Sequence, residues 1–105
     1  EPAKQNRMQI GEIIIDFDAR SVYREKESVN MTPKEYDLFL FFVKNQRKVF
    51  SREQLLNQVW GYDFLGDVRT VDTHVKMLRE SLGNNRKWIK TAWGIGYQFD
   101  SEGIE

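Results

Sequence analysis

Cysteine is absent from these 105 residues, histidine occurs once, and the positive and negative charges cancel. Without cysteine there is no disulfide framework, no thiolate metal site and no cysteine nucleophile, and the chain suits a reducing compartment. The lone histidine, His74, has no second His or Cys and no carboxylate cluster beside it in sequence, so no metal is expected. No apolar run approaches the ~20 residues of a membrane-spanning helix, and no membrane partner is expected. A net charge of zero withholds the overall basicity that marks many nucleic-acid-binding domains.

What is present is a folding composition. Hydrophobic residues make up 40% of the chain, with seven Phe, four Tyr and three Trp, enough for one core. The length suits one domain and is too short for two. The polar stretch Glu1–Arg7 is expected to be a linker remnant, residues 8–100 the folded domain, and residues 101–105 a tail. Charge is unevenly spread. Residues 66–99 hold Arg69, Lys76, Arg79, Arg86, Lys87 and Lys90 against Asp67, Asp72 and Glu80, a local net of plus three. The basic patch is confined to that part of the chain.

Four short strands are expected at Met8–Ile10, Ile13–Phe17, Ser21–Arg24 and Ser28–Asn30. Ile13, Ile15 and Phe17 alternate with Ile14 and Asp16, the period-2 pattern of a sheet with one inward face. Thr32-Pro33-Lys34-Glu35 sets Thr at the N-cap, Pro at the first helical position and Glu at the third, a capping box. The helix it opens runs to about Lys44, apolar round much of its surface and hence central. Ser51-Arg52-Glu53-Gln54 repeats the box and opens a short helix to Val59 or Trp60. Gly61–Asp67 is a loop. A third helix, 69–82, is expected to be capped by Asp67 and stopped by Gly83-Asn84. Its residues Val71, Val75, Leu78 and Leu82 form a narrow inward stripe, while Arg69, Thr73, Lys76 and Glu80 point the other way, with Thr70 and Met77 beside them. Trp88–Thr91 and Tyr97–Phe99 then pair as a hairpin around the glycine-containing turn 92–96. The pattern is an α+β winged helix-turn-helix: an N-terminal four-stranded antiparallel sheet, three helices and a C-terminal β-hairpin wing.

A helix fits the DNA major groove, its first turns reaching base edges while flanking cations hold phosphates. Helix 69–82 carries Arg69, Thr70, Thr73 and Lys76 near its N-terminus, as that task requires. The alternative is an ordinary solvated face braced by pairs such as Asp72–Lys76. Large aromatics such as Trp60 and Tyr97 are equally at home in a core, and a single His on the edge of an apolar stripe is usually packed or hydrogen-bonded. Gly94-Ile95-Gly96 has a fragment of a phosphate-loop pattern, but no helix follows it.

Arg69-Thr-Val-Asp-Thr-His-Val-Lys-Met-Leu-Arg79 and Ile89-Lys-Thr-Ala-Trp-Gly-Ile-Gly-Tyr97 resemble the output domain of OmpR/PhoB-type response regulators. So do Thr32-Pro-Lys-Glu-Tyr-Asp-Leu38 and Ser51-Arg-Glu-Gln-Leu-Leu56 followed by Val59-Trp60. The likeness runs from residue 8 to residue 99 in the right order. It implies sequence-specific binding of double-stranded DNA and control of transcription. Arg69, Thr70, His74, Lys76 and Arg79 would face DNA, with base contact in Arg69, Thr70 and Lys76. Trp60 would bond a phosphate through its indole N–H, and Thr91 and Tyr97 would hold backbone beside a wing near the minor groove. The loop of Asp63, Phe64, Leu65, Gly66 and Asp67 would touch RNA polymerase, unless Phe64 and Leu65 pack down. The resemblance also implies a missing N-terminal receiver domain served by a sensor histidine kinase, a cytoplasmic location and no cofactor. The isolated domain would be a monomer, dimerising head to tail on a direct-repeat operator. Two positions depart from the family: Met77 stands where some relatives are basic, and Trp93 where many have a minor-groove Arg.

Two rivals remain. An enzyme would need a nucleophile motif and a sheltered base, whereas the single His lies on a helix expected to be exposed. A winged helix that binds protein would show exposed aromatics on helix 69–82 in place of Arg, Thr and Lys.

Overall fold

A computed structural model describes residues 6–102, and the chain divides into two compact units between Met31 and Thr32. Most of the stretch expected as linker, and the last three residues of the expected tail, lie outside the described residues.

The first unit is a four-stranded antiparallel meander, β1 (Arg7–Ile10), β2 (Ile13–Asp16), β3 (Ser21–Arg24) and β4 (Glu27–Val29), paired in chain order. Alternation works as expected in β2, where Ile13 and Ile15 are buried and Ile14 and Asp16 are partly exposed. Val22, opposite Ile15, completes the buried row. β1 starts one residue earlier than expected and takes in Arg7, whose side chain bonds Asp16 across the ladder. The two residues joining β3 to β4, Glu25 and Lys26, both have positive φ, at 52° and 75°. That is the backbone of a type I′ hairpin, which twists with the strands it joins.

The second unit holds the helices and the wing. α1 (Pro33–Lys44) opens with the expected capping box, both of its reciprocal bonds present at Thr32 and Glu35. The Glu35 carboxylate is buried and accepts a hydrogen bond from Ser81 as well as from the Thr32 amide. It thereby ties the start of α1 to the end of the third helix. The second box, at Ser51 and Gln54, opens α2 (Arg52–Leu55). The chain continues as one wider π-helical turn, Leu56–Trp60.

α3 (Arg69–Leu82) has the expected bounds, and its stripe Val71, Val75, Leu78 and Leu82 is buried. Its N-cap is Val68 rather than Asp67; the Asp67 carboxylate nevertheless accepts the Arg69 amide at 2.9 Å. A 3-10 turn, Gly83–Trp88, leads into the wing strands β6 (Ile89–Ala92) and β7 (Gly96–Phe99). Val49–Ser51, unmarked in the sequence as a strand, forms β5 and pairs with β7. The expected hairpin is therefore part of a three-stranded sheet in the order β5-β7-β6. Gly96 permits that pairing, since a Cβ there would lie 1.9 Å from the Phe50 carbonyl oxygen.

Phe99 is the hub of the core. Its ring stacks on Phe42 at 5.9 Å and meets the rings of Phe39 and Trp88 edge-on at 6.0 and 5.9 Å. The wing is thus rooted in the core by the last residue of β7, which fixes its base relative to α1 and α3.

Candidate nucleic-acid interface

The helical segment 52–60, a loop and α3 precede a hairpin, and the start of α3, the loop before it and the wing tip are all exposed. α3 buries one stripe and leaves Arg69, Thr73, Lys76 and Glu80 exposed, with Thr70 and Met77 half-buried beside them. Lys76 has no ion-pair partner among the described residues. Thr73 bonds back to the Arg69 carbonyl at 3.2 Å, which fixes its hydroxyl against its own helix.

Arg69 does not hang free. Oδ2 of Asp67 accepts from its Nε at 3.2 Å and its Nη2 at 3.0 Å, while Oδ1 takes its backbone N–H. That amide bond, then the guanidinium, hold the Asp67 carboxyl below the usual carboxylate range.

His74 lies between helix and loop. Its Nδ1 is 2.9 Å from the Thr70 carbonyl, which can only accept, so Nδ1 donates that bond. The Trp60 ring meets His74 edge-on at 4.9 Å and tilts against Phe64 at 6.3 Å. Trp60 is partly exposed, and its indole N–H has no hydrogen-bond partner among the described residues. Of the loop residues, Phe64 thus packs partly down, but Leu65 is 99% exposed and Tyr62 stands out beside it.

Three residues expected on the interface, Arg79, Thr91 and Tyr97, are bonded within the protein. The Arg79 guanidinium bonds the Ile89 carbonyl at 2.8 Å and the Thr91 hydroxyl at 3.0 Å, and lies 5.7 Å from the Tyr97 ring centre. Its role in the structure is to brace the wing against α3. The Tyr97 hydroxyl donates to Asp72 at 2.6 Å. Burial first, then that bond and the Asp72 charge, push the Tyr97 pKa up to about 12.

Asp72 also holds Arg52 in a two-pronged bridge at 2.8 and 3.2 Å, which replaces the Asp72–Lys76 pair considered from sequence. Arg52, Asp72, Thr91, Gly96 and Tyr97 line an open cleft of about 340 Å³ between α2, α3 and the wing. Its charged groups satisfy one another, and His74 is not among its walls. Sequence reasoning missed the bonds of Arg52 to Asp72 and of Ser81 to Glu35 because these partners lie 20 and 46 residues apart.

The wing tip is a tight turn. Ile95 N–H bonds the Ala92 carbonyl at 2.8 Å, and Gly94 at φ +78° supplies the left-handed third position of a type II turn. Ala92 and Gly96 belong to the strands, so the loop itself is only Trp93 to Ile95. Trp93 is 88% exposed, and Ile95 is exposed beyond it. Among the described residues no group of His, Cys, Asp or Glu could hold a metal, and no helix is long and apolar enough to cross a membrane.

This fold, a winged helix with Arg69, Thr73 and Lys76 on the exposed face of the helix before its hairpin, defines the class of the molecule. Residues 25–99 match the family described as transcriptional regulatory protein, C terminal. The chain belongs to that family and is an effector domain of the OmpR/PhoB type, a family of regulators rather than of enzymes. It is 47% identical over 104 residues to the transcriptional regulatory protein SrrA of Staphylococcus aureus, covering 95% of this chain and 43% of that protein. The chain therefore spans less than half the length of the curated relatives it matches. The response regulator DrrB of Thermotoga maritima, an OmpR/PhoB homologue, superposes with a TM-score of 0.80 at 31% identity, over 92% of this chain and 45% of that one. The DNA-binding domain of Klebsiella pneumoniae RstA, solved with the RstA box, gives 0.79 at 26% identity, over 91% and 98%.

Proposed function

We propose that the chain binds double-stranded DNA sequence-specifically through α3 and thereby controls transcription. The observation that carries this is the division of α3 into a fully buried apolar stripe and an exposed face whose first two turns hold Arg69, Thr73 and Lys76. A helix so presented can enter a major groove without disturbing the core, and Thr70 lies at its edge. The tip Trp93–Ile95 would lie near the minor groove. There Trp93 offers a flat apolar ring in place of a cation, suited to sugar edges rather than to the negative potential of a narrow groove. The unpartnered indole N–H of Trp60, with His74 beside it, suits a phosphate oxygen. Arg79, Thr91 and Tyr97 support this surface by holding the wing, and residues 8–100 act together as the DNA-binding domain.

The exposed side chains of Tyr62 and Leu65 support a second contact, with protein, and RNA polymerase is the partner we assign to loop 61–67. In the full-length protein a receiver domain, phosphorylated by a sensor histidine kinase in the cytoplasm, would govern pairing on a direct-repeat operator. The test is a mobility shift with promoter duplexes across a salt series. DNA binding requires that log affinity fall linearly with log salt, since released counterions drive phosphate contact. Salt-independent binding, or none, would favour a protein-binding winged helix instead.

A further inference from the structure

We infer that Asp67 is a specificity-determining residue: its carboxylate aims the Arg69 guanidinium so that the arginine reads a guanine. The inference rests on DNA binding by α3, and gives Asp67 a task separate from polymerase contact.

Arg69 is a long side chain, 80% exposed, and among the described residues its guanidinium is held by Asp67 alone. A free arginine there would sample many rotamers and lose that freedom on binding a base. The carboxylate removes much of it beforehand. Oδ1 is fixed to the Arg69 amide, so Oδ2 is fixed as well, and Oδ2 engages the Nε–Nη2 edge of the guanidinium. The Asp67 backbone is itself held, its carbonyl accepting the Thr70 N–H at 2.9 Å. Guanidinium geometry decides what remains. With one edge occupied, the end carrying Nη1 and the outer hydrogen of Nη2 still presents two parallel donors.

Two parallel donors match guanine alone. In the major groove guanine shows two acceptors, O6 and N7, whereas adenine shows one acceptor beside a donor, thymine one acceptor and a methyl, and cytosine a donor. Charge points the same way. The Asp67–Arg69 pair is close to neutral, which weakens it as a phosphate clamp and leaves hydrogen-bond geometry as its means of recognition.

The experiment selects from a duplex library with a randomised 20-base-pair core (a length of about two helical turns), using the chain and its variants. Asp67→Asn is the informative change, since the amide oxygen still accepts the Arg69 N–H while the negative charge on the guanidinium is lost. The parent is expected to enrich a motif with one dominant guanine. Both Arg69→Ala and Asp67→Asn should lose about tenfold preference at that position and keep the others, within the range for one bidentate base contact. Asp67→Glu should restore part of it. Binding of Asp67→Asn to mixed-sequence duplex should strengthen, because a negative charge has gone. Loss of guanine preference in Arg69→Ala alone would overturn the proposal. So would tighter binding by Asp67→Asn with an unchanged motif, which would make the carboxylate a mask. A motif indifferent to Arg69→Ala also overturns it while leaving DNA binding intact. A parent that binds no duplex overturns both readings.

Discussion

Tyr97 is half-buried and hydrogen-bonded through its hydroxyl, and its titration should be felt by the whole second unit. In the folded chain its pKa is raised from 10.0 to about 12, so the folded state keeps a proton that the unfolded state releases near pH 10. The stabilisation is complete below pH 10 and is lost as pH rises towards 12. Tyr97→Phe should cost about 1 kcal/mol near neutrality, for the lost bond to Asp72. That gap should narrow between pH 10 and 12, in urea titrations at several pH values. A constant gap would mean that the phenol does not titrate in the fold. On the exposed face, Lys76→Ala should weaken operator binding by about 1–3 kcal/mol if the ammonium reads a base. If it meets only phosphate, affinity should fall uniformly over sequences and the salt slope should flatten by roughly one.

At the level of elements, the wing is held by a close backbone approach and by an arginine from α3. Gly96→Ala would drive a methyl group into the Phe50 carbonyl and must separate β5 from β7. We expect a loss of about 3 kcal/mol, at the upper end of the usual cost of overpacking, seen as a lower denaturation midpoint. A neutral outcome would show that β5 is dispensable. In the first unit, Glu25 and Lys26 occupy left-handed positions that residues other than glycine and asparagine adopt at a cost. Glu25→Asn with Lys26→Gly should stabilise the meander by about 1 kcal/mol, measurable as slowed amide exchange in β3 and β4. Exchange that quickens would mean that the turn side chains support the sheet.

For the molecule as a whole, one helix of 14 residues spans ~21 Å and reads only a few base pairs. The chain has no heptad seam, and the apolar faces of α1 and α3 are spent on the core. It should sediment as a monomer and bind a single half-site weakly. Two copies should bind direct repeats best when the half-sites are about one helical turn apart. Duplexes with repeats spaced by 10, 11 or 15 base pairs, as chosen probes, test this; equal affinity for all would exclude paired binding on one DNA face.

Features set by near neighbours in the chain were legible in the sequence alone. Both capping boxes and the bounds of α3 could be read there, because a capping side chain bonds three residues away and a helix shows its stripe every third or fourth position. The exposed set Arg69, Thr73 and Lys76 followed from the same periodicity. Tertiary structure decided what depends on distant partners. β5 is only three residues long and exists because β7, 45 residues further on, lies beside it. The commitment of Arg79 to the wing and the bridge from Arg52 to Asp72 follow from how the 3-10 turn and loop 61–67 bring the elements together. The Asp67–Arg69 pair falls between these cases. Its two residues are neighbours but one, yet only the backbone path into α3 sets a carboxylate oxygen against one edge of the guanidinium and leaves the other to DNA.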